Sequence, residues 1–179
     1  MQRILFIHHC LRLGGGEKYI KEICDFSLQH NIHPTIMIPN NLEEEYYDIY
    51  FKSKKIDVIR FKIFSKKDIL RNLFSKDFYW NIYIRFLLNK NFDRIHFINL
   101  GVASAYHNLF RHKKKVFWHV GNAIQYPDYQ LPFDKAIFSN VNNELICINP
   151  YQIEEIVKQY KNINCKVSLF KLFLNNDNT

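Results

Sequence analysis

Three consecutive glycines, Gly14, Gly15 and Gly16, follow two histidines, His8 and His9, and precede Glu17 where a helical pattern begins. Residue types in that order can handle an anion or a hydroxyl. Glycine lets the backbone approach a ligand closely, and the free N–H groups of a helix N-terminus favour a phosphate. Glu17 can either cap backbone amides or bind a hydroxyl, and the glycines also fit nothing more than a tight strand-to-helix turn. A third candidate is His119, which ends an apolar strand-like run and is followed by Gly121 and Asn122. Open α/β sheets bind ligands at the C-terminal ends of their strands, so His119 either meets a ligand or is a core histidine with a satisfied ring. Asn99 and Asn122 also sit at strand exits and can bind hydroxyls, whereas His96 lies inside a strand and reads as a satisfied core residue.

The elements that must position these groups follow from hydrophobic pattern. Continuous apolar runs predict buried strands at Arg3 to His8, His33 to Ile38, Asp57 to Phe61, Asp93 to Asn99, Lys115 to Val120, Glu144 to Ile148 and Cys165 to Phe170. Between them, helical spacing predicts helices at Glu17 to His30, Leu42 to Phe51, Val102 to Phe110, Phe133 to Ser139 and Pro150 to Tyr160. Glu43, Glu44 and Glu45 suit the start of the second. Ala123 to Pro132, with Pro127 and Pro132, reads as a loop. The alternation predicts an α/β fold: a single Rossmann-like domain with a mostly parallel sheet of about seven strands and helices on both faces.

A chain of 179 residues, 47% apolar and 23% charged, fits one soluble globular domain. Its formal net charge of +8 is concentrated between Lys52 and Lys90, where eleven Lys or Arg face three Asp. Within that stretch, residues 65 to 90 carry apolar positions at four-residue intervals with Trp80, Tyr79 and Tyr83 among the basic residues. Such a face can rest on an anionic membrane, or its aromatics can turn to the core and its lysines to water. No nucleic-acid motif accompanies the charge. Cys10, Cys24, Cys147 and Cys165 form no C-x-x-C pair and lie in mostly apolar segments, which suits buried reduced thiols rather than a disulfide frame or a zinc site. The expected compartment is the cytoplasm, at most at the inner face of the plasma membrane. No apolar stretch approaches the roughly 18 to 20 residues of a membrane span.

Two phosphate motifs fail against the glycines. The dinucleotide fingerprint has Tyr19 where its third glycine belongs, and the second strand ends in Ile38-Pro39-Asn40 rather than an acidic residue for a ribose. The P-loop needs Gly-Lys-Ser/Thr, and Gly16-Glu17-Lys18-Tyr19 does not supply it.

Gly15-Gly16-Glu17-Lys18 does resemble the G-G-x-E-[RK] loop of family 4 glycosyltransferases of the GT-B fold, in slightly shifted form. Asp93 to Asn99 is similar to that family's D-x-x-H-x-h-N strand, Val116-Phe117-Trp118-His119 to its strand ending in an active-site histidine, and Leu145 to Asn149 to the strand that usually closes in serine. The resemblance implies the N-terminal, acceptor-side domain of a retaining, hexosyltransferase-type enzyme of bacterial polysaccharide biosynthesis. Such an enzyme uses a nucleotide sugar as donor and a surface glycan or glycolipid as acceptor. It also implies His119 at the catalytic centre, Gly14, Gly15 and Gly16 at the substrate, no cofactor and no metal; by their places at a strand end or the helix start, Glu17, His9, Asn99 and Asn122 join the substrate set, with His8 and His9 as second choices to His119. Residues 1 to 179 contain no counterpart of the family's C-terminal donor-binding domain, so a fragment, a truncated product or one subunit of a split transferase is expected. From another class, a non-catalytic binding or scaffold subunit that pairs with a donor-binding chain fits the same pattern.

Overall fold

In the strand β1 (Gln2–Ile7), Leu5 and Ile7 enter one core while Ile4 and Phe6 enter another, and none of the four is more than 7% exposed. Burial on both faces is why the strand reads as an unbroken apolar run instead of an alternation. Each fully buried side chain of this size contributes about 1.5–3 kcal/mol, which makes β1 the mechanical centre of the sheet.

The structure, a computed structural model, describes residues 2–39, 41–61, 91–110, 114–131 and 133–170. β1 is followed by β2 (Ile32–Pro39), β3 (Asp57–Phe61), β4 (Arg94–Phe97), β5 (Lys114–His119), β6 (Glu144–Cys147) and β7 (Lys166–Leu169). All pairings are parallel, in the order β3-β2-β1-β4-β5-β6-β7. The seven expected strands are therefore present. The chain builds outward from β1 to β3, returns to pair β4 with β1, and then builds the other way. That reversal opens a crevice at the C-terminal ends of β1 and β4.

One core holds Leu5, Ile7, Phe97, Phe117, Phe138 and Leu145; Phe97 and Phe117 stack at 5.2 Å with rings 8° apart. The other holds Phe6, Ile36, Phe51 and Trp118 beneath α1 (Gly15–Gln29), which buries Ile20, Cys24 and Ser27 at helical spacing. α1 stops before Asn31, whose φ of 57° is the left-handed conformation that asparagine tolerates.

The second expected helix is corrected. It spans α2 (Asp48–Ser53) rather than Leu42 to Phe51: Asp48 Oδ2 accepts from Glu45 N at 2.7 Å, which spends that backbone N–H in a turn ahead of the helix. The Glu45 carboxylate instead reaches Leu11 N and Arg12, pinning the loop after β1. α3 (Leu100–Tyr106) ends sooner than expected, in a 3₁₀ turn at His107–Leu109. α4 (Lys135–Ser139) and α5 (Pro150–Gln159) complete the set, and the expected loop between β5 and α4 holds 3₁₀ turns at Ala123–Gln125 and Pro127–Tyr129. The basic stretch at 65 to 90, with its membrane reading, lies outside the described residues. Among the described residues, no helix is long and apolar enough to cross a membrane.

Candidate functional site

The candidate residues gather at two mouths on the C-terminal rim of the sheet. The first lies where β1 leads into α1. His8 follows the strand, 2% exposed, and its Nε2 lies 3.1 Å from Glu17 Oε1; Cys10 Sγ donates to the same oxygen at 3.1 Å. Burial alone would raise the Glu17 pKa. The hydrogen bonds from His8, Cys10 and its own backbone N–H outweigh it and bring the group down to about 2. An ionised carboxylate only accepts, so His8 donates from Nε2, and Nδ1 is left buried without a partner. Burial and the Glu17 hydrogen bond push Cys10 up to about 11, and partial loss of surrounding water lowers His9, whose ring lies 4.3 Å from that of His8.

The glycines of this mouth differ in what they permit. A side chain on Gly14 would meet Glu17 Oε2 at 2.4 Å, one on Gly16 would rest 3.6 Å from the His8 ring, and one on Gly15 would meet nothing within 4 Å. None has a positive φ. The Glu17 carboxylate therefore accounts for Gly14, a methyl at Gly16 would make only ordinary contact with the His8 ring, and Gly15 leaves open space in front of α1.

The second mouth lies between β5 and α5. His119, the last residue of β5, is 1% exposed, and burial pushes its pKa down to about 4. Its ring meets Phe133 edge-on at 5.6 Å, and its Nε2 has no hydrogen-bond partner. Glu155 Oε2 stands 3.9 Å from that nitrogen while both Glu155 oxygens accept from Ala123 N, at 3.1 and 3.2 Å. His119 is thus a neutral ring with a free nitrogen beside a carboxylate 28% exposed. That nitrogen is closed to solvent, so a ligand hydroxyl would have to be admitted between the two groups to satisfy both.

Gln152, 1% exposed, is the hub behind this mouth. Its Oε1 accepts from Ile148 N and Asn149 N, and its Nε2 donates to Gly121 O at 2.9 Å and Asn122 Oδ1 at 3.3 Å. With Asn149 it forms a capping box that starts α5. Sequence reasoning missed Gln152, Glu155 and Cys10. Asn149-Pro150-x-Gln152 is a readable cap signature, and the tripeptide His8-His9-Cys10 ahead of Glu17 was a readable cluster of ligating side chains.

The remaining candidates have other engagements. Asn99 Oδ1 accepts from Gly101 N at 2.8 Å and caps α3. His96 is core, but only half satisfied: Nδ1 accepts from Trp118 Nε1 at 3.1 Å, Nε2 is unpartnered, and burial takes its pKa to about 3. Cys24, Cys147 and Cys165 are buried free thiols as expected, whereas Cys10 is only partly buried.

No protein-family model matches the sequence, and no curated protein matches it. Solved structures do match. HepE of Anabaena, in complex with UDP and glucose, superposes on 97% of this chain with a TM-score of 0.62 at 13% identity. UGT89C1 of Arabidopsis thaliana, complexed with UDP, superposes on 98% with a TM-score of 0.50 at 12% identity. The chain spans 45% of the first and 50% of the second. At these identities the likeness is one of fold, with two proteins whose structures hold UDP.

Proposed function

We propose that the chain supplies the acceptor-side half of a glycosyltransferase that moves a sugar, with retention, from a nucleotide-sugar donor to a surface glycan or glycolipid. The observation that carries this reading is the superposition of 97% of the chain on HepE, a protein bound to UDP and glucose. The resemblance of the β4, β5 and β6 motifs to family 4 glycosyltransferases supports it independently.

On this reading the acceptor hydroxyl meets the second mouth. His119 is neutral there at physiological pH and offers a free nitrogen, and Glu155 offers an acceptor oxygen 3.9 Å away. The pair orients the hydroxyl and can take up its proton as the bond from its oxygen to the sugar forms, while the sugar–phosphate bond breaks and the nucleoside diphosphate leaves with its electron pair. Asn122 lies beside them, tied to Gln152. Asn99 and Glu17 have their side-chain oxygens engaged within the fold, so the substrate contact is assigned to His119 before them. The donor diphosphate is assigned to a further domain or partner chain, and Gly15 leaves the open edge that faces it.

The test is transfer from radiolabelled UDP-glucose to a lipid-linked acceptor by this chain together with a donor-binding domain supplied in cis or in trans. His119→Ala is expected to lower turnover by about 100-fold or more, in the range of a lost general base, with the fold unchanged by circular dichroism. Full turnover by His119→Ala, or no nucleotide-sugar binding by the assembled pair in calorimetry, would overturn it.

A further inference from the structure

The first mouth has a chemistry that sugar transfer does not use. Among the described residues, His8, His9, Cys10 and Glu17 each present a ligating atom, and these four atoms lie within 4.8 Å of one another. We propose that they form a binding site for a borderline-soft divalent cation of the zinc class, clamping the end of β1 to the first turn of α1.

Four arguments carry the assignment. The donor set is one sulfur, two imidazoles and one carboxylate, the mixture that zinc takes up in tetrahedral sites. Metal-ligand bonds of about 2.0–2.3 Å put tetrahedral ligand atoms roughly 3.3–3.8 Å apart, and this cluster already holds His8 Nε2 and Cys10 Sγ at 3.1 Å from Glu17 Oε1. His8 and Cys10 both direct a proton at that single oxygen, which is where a cation would replace them. On binding, Cys10 releases its proton to solvent and His8 moves its own to Nδ1, so both leave Glu17 facing the ion. Finally, His8 is 2% exposed and has its Nδ1 unpartnered, so its one polar anchor among the described residues is the cluster itself.

The charge also closes. The positive end of α1 would repel a bare dication, but a thiolate and a carboxylate make the loaded site neutral. Four protein ligands leave no position for water, so the ion is structural, not a Lewis acid for the reaction. This departs from the expectation that no metal is used. It does not rest on the transferase reading, and failure of sugar transfer leaves it standing.

Titration of the full chain with Co²⁺ tests it. One equivalent should bind with a thiolate-to-cobalt charge-transfer band, and Zn²⁺ should displace it and raise the melting temperature. Cys10→Ser should abolish the band, while Cys165→Ser, in the core, should retain it. His9→Ala alters an exposed side chain and spares the fold; it should weaken binding by about tenfold or more, since even outer-shell partners carry about 10- to 100-fold. Absence of the band in the native chain, its survival in Cys10→Ser, or a loss below about tenfold in His9→Ala would overturn the proposal.

Discussion

His8 and His119 both stand at the C-terminal end of a strand and both face a glutamate, yet 3.1 Å separates the first pair and 3.9 Å the second. The short distance belongs to a closed arrangement, in which Glu17 is ionised and already holds His8 and Cys10. The longer one belongs to an unfilled arrangement, buried as well, in which Glu155 is held by Ala123 N and the His119 nitrogen has no partner. One residue pairing therefore serves as a clamp in one place and as a waiting hydrogen-bond site in the other. What separates them is where the carboxylate finds its backbone donor. Glu17 curls onto its own N–H at the start of α1, beside His8; Glu155 reaches across to a different loop.

Acid should separate the two most strongly. The His119 pKa lies at about 4 and that of His96 at about 3 in the fold, against 6.5 when unfolded, so the unfolded chain takes up protons first. Their contribution is complete above pH 6.5 and is lost as pH falls through that value towards 4 and 3. At about 1.4 kcal/mol per pH unit between folded and unfolded values, the full loss should be on the order of 8 kcal/mol in urea titrations. His119→Gln should flatten its share. Glu17 acts in a lower window: its contribution is complete above 4.5 and is lost as pH falls towards 2. A stability profile that is flat from pH 7 to about 5 would break the contrast, since buried neutral histidines must lose stability there.

Gln152→Leu should come next, costing about 3 kcal/mol, because it strips partners from two backbone N–H groups and the Gly121 carbonyl at once. Chemical denaturation measures it, and the damage should fall on the second mouth, with metal binding at the first retained. Glu17→Gln should cost about 1 kcal/mol, since the amide oxygen still accepts from His8 and Cys10 without the charge. Smallest is Gly15→Ala, which should stabilise by about 0.5 kcal/mol, since the added methyl meets nothing and the backbone is already helical. If that variant gains stability but loses nucleotide-sugar binding by the assembled enzyme, Gly15 is a point of ligand approach.

The strands were legible because burial on both faces writes itself as runs such as Ile4 to Ile7, and α1 and α5 because their apolar spacing and caps are local. The start of α2 was not. Glu43 to Glu45 look like a helix N-terminus, but the Glu45 carboxylate is taken by Leu11 N, 34 residues away, and no local signal carries a contact of that range. His119 was found from its place at a strand end. Its partner Glu155 was not, since β5 and α5 meet only after β6 has been added to the sheet. Cys10 was set aside by its spacing to other cysteines, a test blind to histidine and glutamate as co-ligands.

Trp118 is one of two tryptophans in the chain, and its indole N–H is held by a histidine that must stay uncharged to accept it. Tyr19 meets the same indole edge-on at 5.3 Å, so the ring touches both α1 and the middle of the sheet. Protonation of His96 turns that acceptor into a cationic donor, and indole emission is quenched by such a neighbour. With Trp80 replaced by Phe, the fluorescence of this one ring becomes a built-in gauge of whether helix and sheet are still joined.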